Sequence, residues 1–231
     1  EPRSTAEMVN LVRTAERSGV DAAQIFSLDI GHAIKPTFAE MERYYSTVIE
    51  SSAIPVYLSS HYTVGYFLPI DLVEKLVAKY PNIIGIAYGG PDIPYLGQLI
   101  RGVGEKIEVH CAGPANALSV LGLGGNGFMG AEGNFAPHMV ADVINAYASK
   151  DVDAIQASFD KLMAFAALYV RFGGGHSVRG LKPLMNLFGM PGGYLRAPRL
   201  PISNADAHQF ATLVAQLQLP GVSQLGSLLQ D

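Results

Sequence analysis

Asn82-Ile83-Ile84-Gly85-Ile86-Ala87-Tyr88 decides the fold. It is a short, uncharged run rich in isoleucine, set between segments with helical patterning at 69–79 and 92–102. An apolar run of that length without polar alternation reads as a strand buried on both faces, as in parallel sheets covered by helices. The same unit repeats outward. Toward the N-terminus, strands are expected at 54–58 and 21–27 and a helix at 37–51. The first helix runs to about residue 18, capped by Ser4 or Thr5, with Ala6-Glu7 in its first turn and Gly19 ending it. Toward the C-terminus, strands are expected at 107–111 and 127–130, with a helix at 115–121. Strict alternation at this spacing argues for parallel βα units rather than a sandwich. Five strands in an open parallel sheet, or part of a larger barrel, both satisfy it.

After Pro137 the pattern changes to helices alone, at 138–149, 152–172, 181–188 and 204–217 with a short one near 223–229, interrupted by Gly173-Gly174-Gly175. Two regions are therefore expected, 1–137 and 138–231.

With 231 residues and 49% hydrophobic content, the chain can bury a large core, as one domain or one domain with an appendage. A formal net charge of −4 and no Lys/Arg-rich run leave no electrostatic footprint for nucleic acid or an anionic membrane, so a small-molecule or protein partner is expected. The one cysteine, Cys111, can form neither an internal disulfide nor a zinc-type cysteine cluster. No apolar stretch is long enough to span a bilayer, and Glu1-Pro2-Arg3-Ser4 carries no signal-peptide pattern; a soluble cytoplasmic protein is expected. The chain opens on Glu and enters a helix at once, so it reads as a fragment.

Several segments carry a resemblance. Gly127-Phe128-Met129-Gly130-Ala131-Glu132-Gly133-Asn134-Phe135-Ala136-Pro137 is one. Lys182 followed by Gly189-Met190-Pro191-Gly192-Gly193-Tyr194-Leu195-Arg196-Ala197-Pro198-Arg199-Leu200-Pro201 is another, supported by Lys35-Pro36, Pro55-Val56 and Ile83-Ile84-Gly85-Ile86. In this order and spacing the chain resembles the dihydrodipicolinate synthase and N-acetylneuraminate lyase family. The resemblance implies an α/β fold, a (β/α)8 TIM barrel with a C-terminal helical domain, the five strands being its fourth to eighth. Three strands and two helices would then precede Glu1, because a barrel missing three staves exposes edges and core. It also implies a homo-oligomer, commonly a tetramer, and chemistry on pyruvate adducts through an imine on a strand lysine.

That lysine falls on Ala87. The family's catalytic tyrosine, in a Tyr-Asn-x-Pro segment, falls on Ser59 of Ser59-Ser60-His61-Tyr62. The Gly-Thr-Thr-Gly-Glu-like carboxylate-binding turn would lie before Glu1. Alanine has no amine and serine lacks the tyrosine's reach, so imine formation at that strand is excluded. A deliberate lysine replacement would explain Ala87 but not Ser59, and the two together favour natural divergence.

In a barrel, reactive groups sit at the C-terminal ends of strands. Those ends offer Asp29 and His32, then Ser59, His61 and Tyr62, then Tyr88, then His110 or Cys111, then Glu132 and Asn134. Alternation puts Ser59 and His61 on one side of their strand. His61, assisted by Tyr62 or Tyr88, is the expected acid/base group, since an imidazole titrates near neutrality. Ala87, His32, His110, Glu132 and Asn134 are the expected substrate lining, with Glu132 either a new acid in the mouth or a solvated loop carboxylate. A three-histidine metal site from His32, His61 and His110 is not assigned. No two of them share a short ligand spacing, and adjacent His110 and Cys111 face opposite ways. No cofactor is assigned, and Cys111 reads as a small buried apolar residue.

Three functions fit. The first is a lyase acting on a small oxo-acid or related carbonyl compound without an imine lysine. The second is a non-catalytic ligand-binding or regulatory paralogue, and the third a Schiff-base pyruvate aldolase with an engineered lysine replacement. An enzyme predicts His61, Tyr62 and Tyr88 converging on one cavity, and a paralogue predicts that cavity filled with apolar side chains.

Overall fold

The computed structural model describes residues 2–32, 34–174 and 177–222, so the helix expected near 223–229 lies outside the described residues. The chain divides into two units, residues 1–129 and 130–231.

The first unit alternates helix and strand: α1 (Thr5–Arg17), β1 (Ala23–Ile25), α2 (Phe38–Glu50), β2 (Val56–His61), α3 (Ile70–Lys79), β3 (Ile83–Gly89), α4 (Ile93–Val103), β4 (Glu108–Ala112), α5 (Ala117–Gly122) and β5 (Gly127–Met129). Helix starts are written in the sequence. The Ser4 hydroxyl accepts from Glu7 N–H, Thr37 and Glu40 form a reciprocal capping box, and the Asp92 carboxylate accepts from Tyr95 N–H. All strand pairs are parallel, and the spatial order β1-β2-β3-β4-β5 is the chain order.

Register fixes two faces. Ile25 pairs with Leu58, Leu58 with Ile86, and Ile86 with Val109, so these four form one row across four strands, and each is 0% exposed. This face is covered by helices; Ser60, on the same side of β2 as Leu58, meets the Tyr95 hydroxyl of α4 at 2.9 Å. Burying each of these aliphatic side chains contributes roughly 1.5–3 kcal/mol. On the other face, Ser59 pairs with Ala87 and Ala87 with His110.

The second unit is helical. A short 3-10 turn (Ala131–Asn134) precedes α6 (Pro137–Ser149), α7 (Val152–Gly173), α8 (Ser177–Leu187) and α9 (Asn204–Gln216). Its core is aromatic. Phe135 stacks on Phe165 at 5.5 Å and meets Phe188 edge-on at 5.2 Å, and Phe210 stacks against Phe172 at 5.1 Å.

Candidate active site on the inner face of the sheet

The face of β2, β3 and β4 turned away from Leu58 and Ile86 carries three successive cross-strand rows, because side chains two apart on a strand share a face. The first holds Tyr57, Gly85 and Glu108, the second Ser59, Ala87 and His110, and the third His61 and Gly89. Glycine makes room in β3 here: a Cβ at Gly85 would collide with the Tyr57 ring and one at Gly89 with the His61 imidazole, so either ring would have to move. Both rings therefore lie across the β3 backbone.

Tyr57 donates its hydroxyl hydrogen to Glu108 Oε2, and its ring meets His110 edge-on with centroids 6.0 Å apart. Burial, then the Glu108 hydrogen bond, pushes the Tyr57 phenol up to about 12. The same Glu108 oxygen lies 3.4 Å from His110 Nε2. That pair lacks hydrogen-bond geometry, and His110 Nε2 is a buried nitrogen without a hydrogen-bond partner. Burial lowers the His110 pKa, opposed in part by Glu108, so the imidazole is held neutral at pH 7. Across Ala87, Ser59 is 0% exposed and its Oγ also has no partner. Native structures rarely leave buried polar atoms unpaired, and each such atom calls for an explanation.

Ser59, His61, Ala87 and His110 thus lie together on one face. Tyr88 does not join them. As the chain neighbour of Ala87 it faces the helices, where its hydroxyl donates to Asp92 C=O at 2.9 Å and accepts from Asp92 N–H at 2.6 Å. Its ring lies 5.3 Å from Phe67 and 5.5 Å from Tyr95, and Tyr62 joins the same aromatic cluster through Phe67 at 5.2 Å while remaining exposed. The expected convergence of His61, Tyr62 and Tyr88 is therefore not found; the residues that share the inner face with His61 are Ser59 and His110. Cys111 faces the helices with Tyr88, fully buried, its thiol pushed up to about 12 by burial. It is not a nucleophile near neutral pH.

His32 is exposed in the loop after β1 with a left-handed φ of 54°. Glu132 and Asn134 belong to the second unit. Glu132 is not a solvated loop carboxylate: it is 1% exposed, and its Oε1 accepts the Tyr169 hydroxyl hydrogen while Oε2 has no partner. Asn134 is exposed and donates to Ala131 C=O at 3.1 Å. Among the described residues no group of three His, Cys, Asp or Glu is placed to hold a metal ion, and no helix is long and apolar enough to cross a membrane. Sequence reasoning missed Tyr57 and Glu108. The signal was there: each lies two residues before a candidate, Ser59 and His110, on the same strand.

In-order parallel βα units followed by a helical region are the architecture of a (β/α)8 TIM barrel with a C-terminal helical domain, and solved structures of that class superpose on the chain. YagE of Escherichia coli K12, a dihydrodipicolinic acid synthase family protein whose crystal structure is a complex with pyruvate, matches with a TM-score of 0.82 at 25% identity, over 94% of this chain and 73% of that one. The model of the dihydrodipicolinate synthetase family matches residues 2–217, and the chain belongs to that family. Similar curated proteins include the 4-hydroxy-tetrahydrodipicolinate synthases of Thermodesulfovibrio yellowstonii and Methanococcoides burtonii. The first is 29% identical over 65% of this chain and 50% of its own length, the second 27% over 93% and 72%. The chain thus spans half of the first relative's length.

Proposed function

We propose that this chain binds a small oxo-acid or related carbonyl compound on the inner face of β2, β3 and β4 and acts on it by acid/base chemistry without a covalent imine. One observation carries the reading: Ser59 Oγ and His110 Nε2, both buried and without a hydrogen-bond partner, flank Ala87, the position where the family resemblance places the imine lysine. Unpaired buried polar groups are costly unless a ligand completes them. The pyruvate held by the related YagE supports the substrate class. In this reading neutral His110 takes the proton from the carbon beside the carbonyl, Ser59 donates a hydrogen bond to the carbonyl oxygen, and His61 stands one row toward the strand ends. Tyr88 is a packing residue, since both hydrogen-bonding roles of its hydroxyl are occupied by Asp92.

The resemblance implies that Ala87 stands for the family's lysine and Ser59 for its tyrosine, and two such replacements favour a second reading, a non-catalytic ligand-binding paralogue. One experiment separates them. Pyruvate is incubated with the full chain in deuterated buffer, with histidine resonances and deuterium at the methyl group followed by NMR, and a parallel sample is treated with borohydride. Shifts of His61 and His110 with methyl exchange support the lyase-type reading, and shifts without exchange the paralogue. A borohydride-stable adduct on any lysine sinks both.

A further inference from the structure

The helical unit has a charge imbalance of its own. The chain is acidic overall, with 20 Asp and Glu against 16 Lys and Arg, yet no Asp or Glu occurs between Lys161 and Ala205, while Lys161, Arg171, Arg179, Lys182, Arg196 and Arg199 are all basic. Helical spacing puts Arg179, Lys182 and Asn186 on one face of α8, because residues three and four apart are neighbours. Two of them hold the connection to α9: Lys182 Nζ donates to Gly192 C=O at 2.9 Å and Asn186 Nδ2 to Gly193 C=O at 3.1 Å. Arg179, one turn nearer the start of the helix, has no such counterpart, and its Nε is buried without a hydrogen-bond partner. Arg179 and Arg199, with Pro198 and Leu200, line a depression of about 350 Å³. Arg199 also borders a second one of about 450 Å³, whose lining includes Lys182, His208 and the apolar side chains of Leu187, Leu195 and Ile202. Among the described residues no Asp or Glu lines either depression, and no carboxylate pairs with Arg179, Lys182 or Arg199. Asp206, the first acid after this stretch, accepts from the Ser203 hydroxyl at 2.7 Å. Cations gathered without a counter-charge repel one another, and a guanidinium presents a planar fork of donors that matches an oxyanion. The volumes fall in the range of small-molecule sites, about 300–1,000 Å³.

We propose that Arg179 and Arg199 hold the oxyanion of a small organic anion, a phosphomonoester or a carboxylate, whose apolar body lies along Leu187, Leu195 and Ile202 with Lys182 beside it. The site is built wholly from α8, α9 and the segment that joins them. It stands apart from the reading of the inner face and is tested without it.

The test is calorimetric titration of the full chain with n-butyl phosphate and pentanoate, and with inorganic phosphate and acetate as their counterparts without a tail. The tighter of the two tailed probes identifies the oxyanion as phosphoryl or carboxylate, and it should exceed its tail-less counterpart severalfold. Arg199 is exposed, so Arg199→Gln should keep the fold while weakening that probe at least about tenfold, the ratio that one charge-assisted hydrogen bond supplies. Arg101→Gln, which removes an exposed charge from α4, should leave the affinity unchanged. Arg179→Lys keeps the charge, loses the fork and should weaken binding severalfold. No binding of either tailed probe, or equal losses in Arg199→Gln and Arg101→Gln, overturns the site. Equal affinity with and without the tail overturns the apolar seat, and an unchanged affinity in Arg179→Lys removes Arg179 from the assignment.

Discussion

Ser59 and Ser60 are neighbours in the chain, both fully buried, and their hydroxyls meet opposite circumstances. On the helix-covered face, Ser60 Oγ accepts from Leu68 N–H at 3.1 Å and pairs with the Tyr95 hydroxyl, which itself donates to Leu68 C=O at 2.7 Å. Tyr88, on the same face, is bonded twice to Asp92. On the inner face, Ser59 Oγ and His110 Nε2 are unpaired. The covered face satisfies these polar groups within the fold, whereas on the inner face Tyr57 and Glu108 bond to each other and Ser59 Oγ and His110 Nε2 are left without a hydrogen-bond partner. Burial alone therefore does not tell a polar group that the fold satisfies from one that it does not; the hydrogen-bond account does.

Substitutions at successive positions can break this contrast. Leu58→Ala should cost the most, about 2–5 kcal/mol by urea denaturation, because it opens a cavity in a filled row. Tyr88→Phe should cost about 1–3 kcal/mol, as it leaves the Asp92 backbone groups short of a partner, and Ser60→Ala a comparable or smaller amount through the buried Leu68 N–H. A cost below about 0.5 kcal/mol at both would show that the covered face is not held by these bonds.

The next effect depends on pH. His110 has its pKa lowered from the usual 6.5 by burial, so the folded state binds fewer protons than the unfolded one as pH falls below 6.5. The contribution is fully present above that value and is lost as pH drops through the lower, folded one. His110→Asn should flatten this part of the stability profile, and an unchanged profile would show that the imidazole is not desolvated in solution. The smallest effect is expected at Ser59→Ala, between no change and about 1 kcal/mol of stabilisation, since an unpaired buried hydroxyl gives way to a methyl. A loss of more than about 1 kcal/mol there would mean that Ser59 is bonded within the fold.

Much of the fold was legible because apolar runs and caps are local signals. The run at 82–87 became Ile83–Gly89, and the capping pair Thr37 and Glu40 starts α2 next to the expected position. The run at 21–27 shortened to Ala23–Ile25, because a ladder extends only where its neighbour supplies partners, here Val56 to Leu58. The 54–58 strand instead lengthened to His61, since β3 continues beside it through Gly89, and no local propensity in Ser-Ser-His announces that. Helix α8 begins at Ser177 rather than near 181; Gly180 looks like a breaker in sequence but allows close approach to Gly173 of α7. For the site, alternation brought Ser59 and His61 together, and applied to Ala87 and Tyr88 it would have turned Tyr88 away. The choice between His110 and Cys111 needed register, a relation between strands that one segment does not contain.

The strand order has a consequence for the history of the molecule as it is made. Each strand in the first unit pairs with the one that follows it in the chain, so every ladder closes over a single intervening helix and loop. Closure over such short spans is entropically mild, and each of the four pairings from β1 to β5 joins neighbours in the chain. On a polypeptide leaving the ribosome β2 can thus pair with β1 and β3 with β2 as each emerges, with each helix covering the aliphatic row soon after it appears. In a truncation series ending after successive strands, resistance to proteolysis should rise stepwise, with the newest edge always the first to be cut.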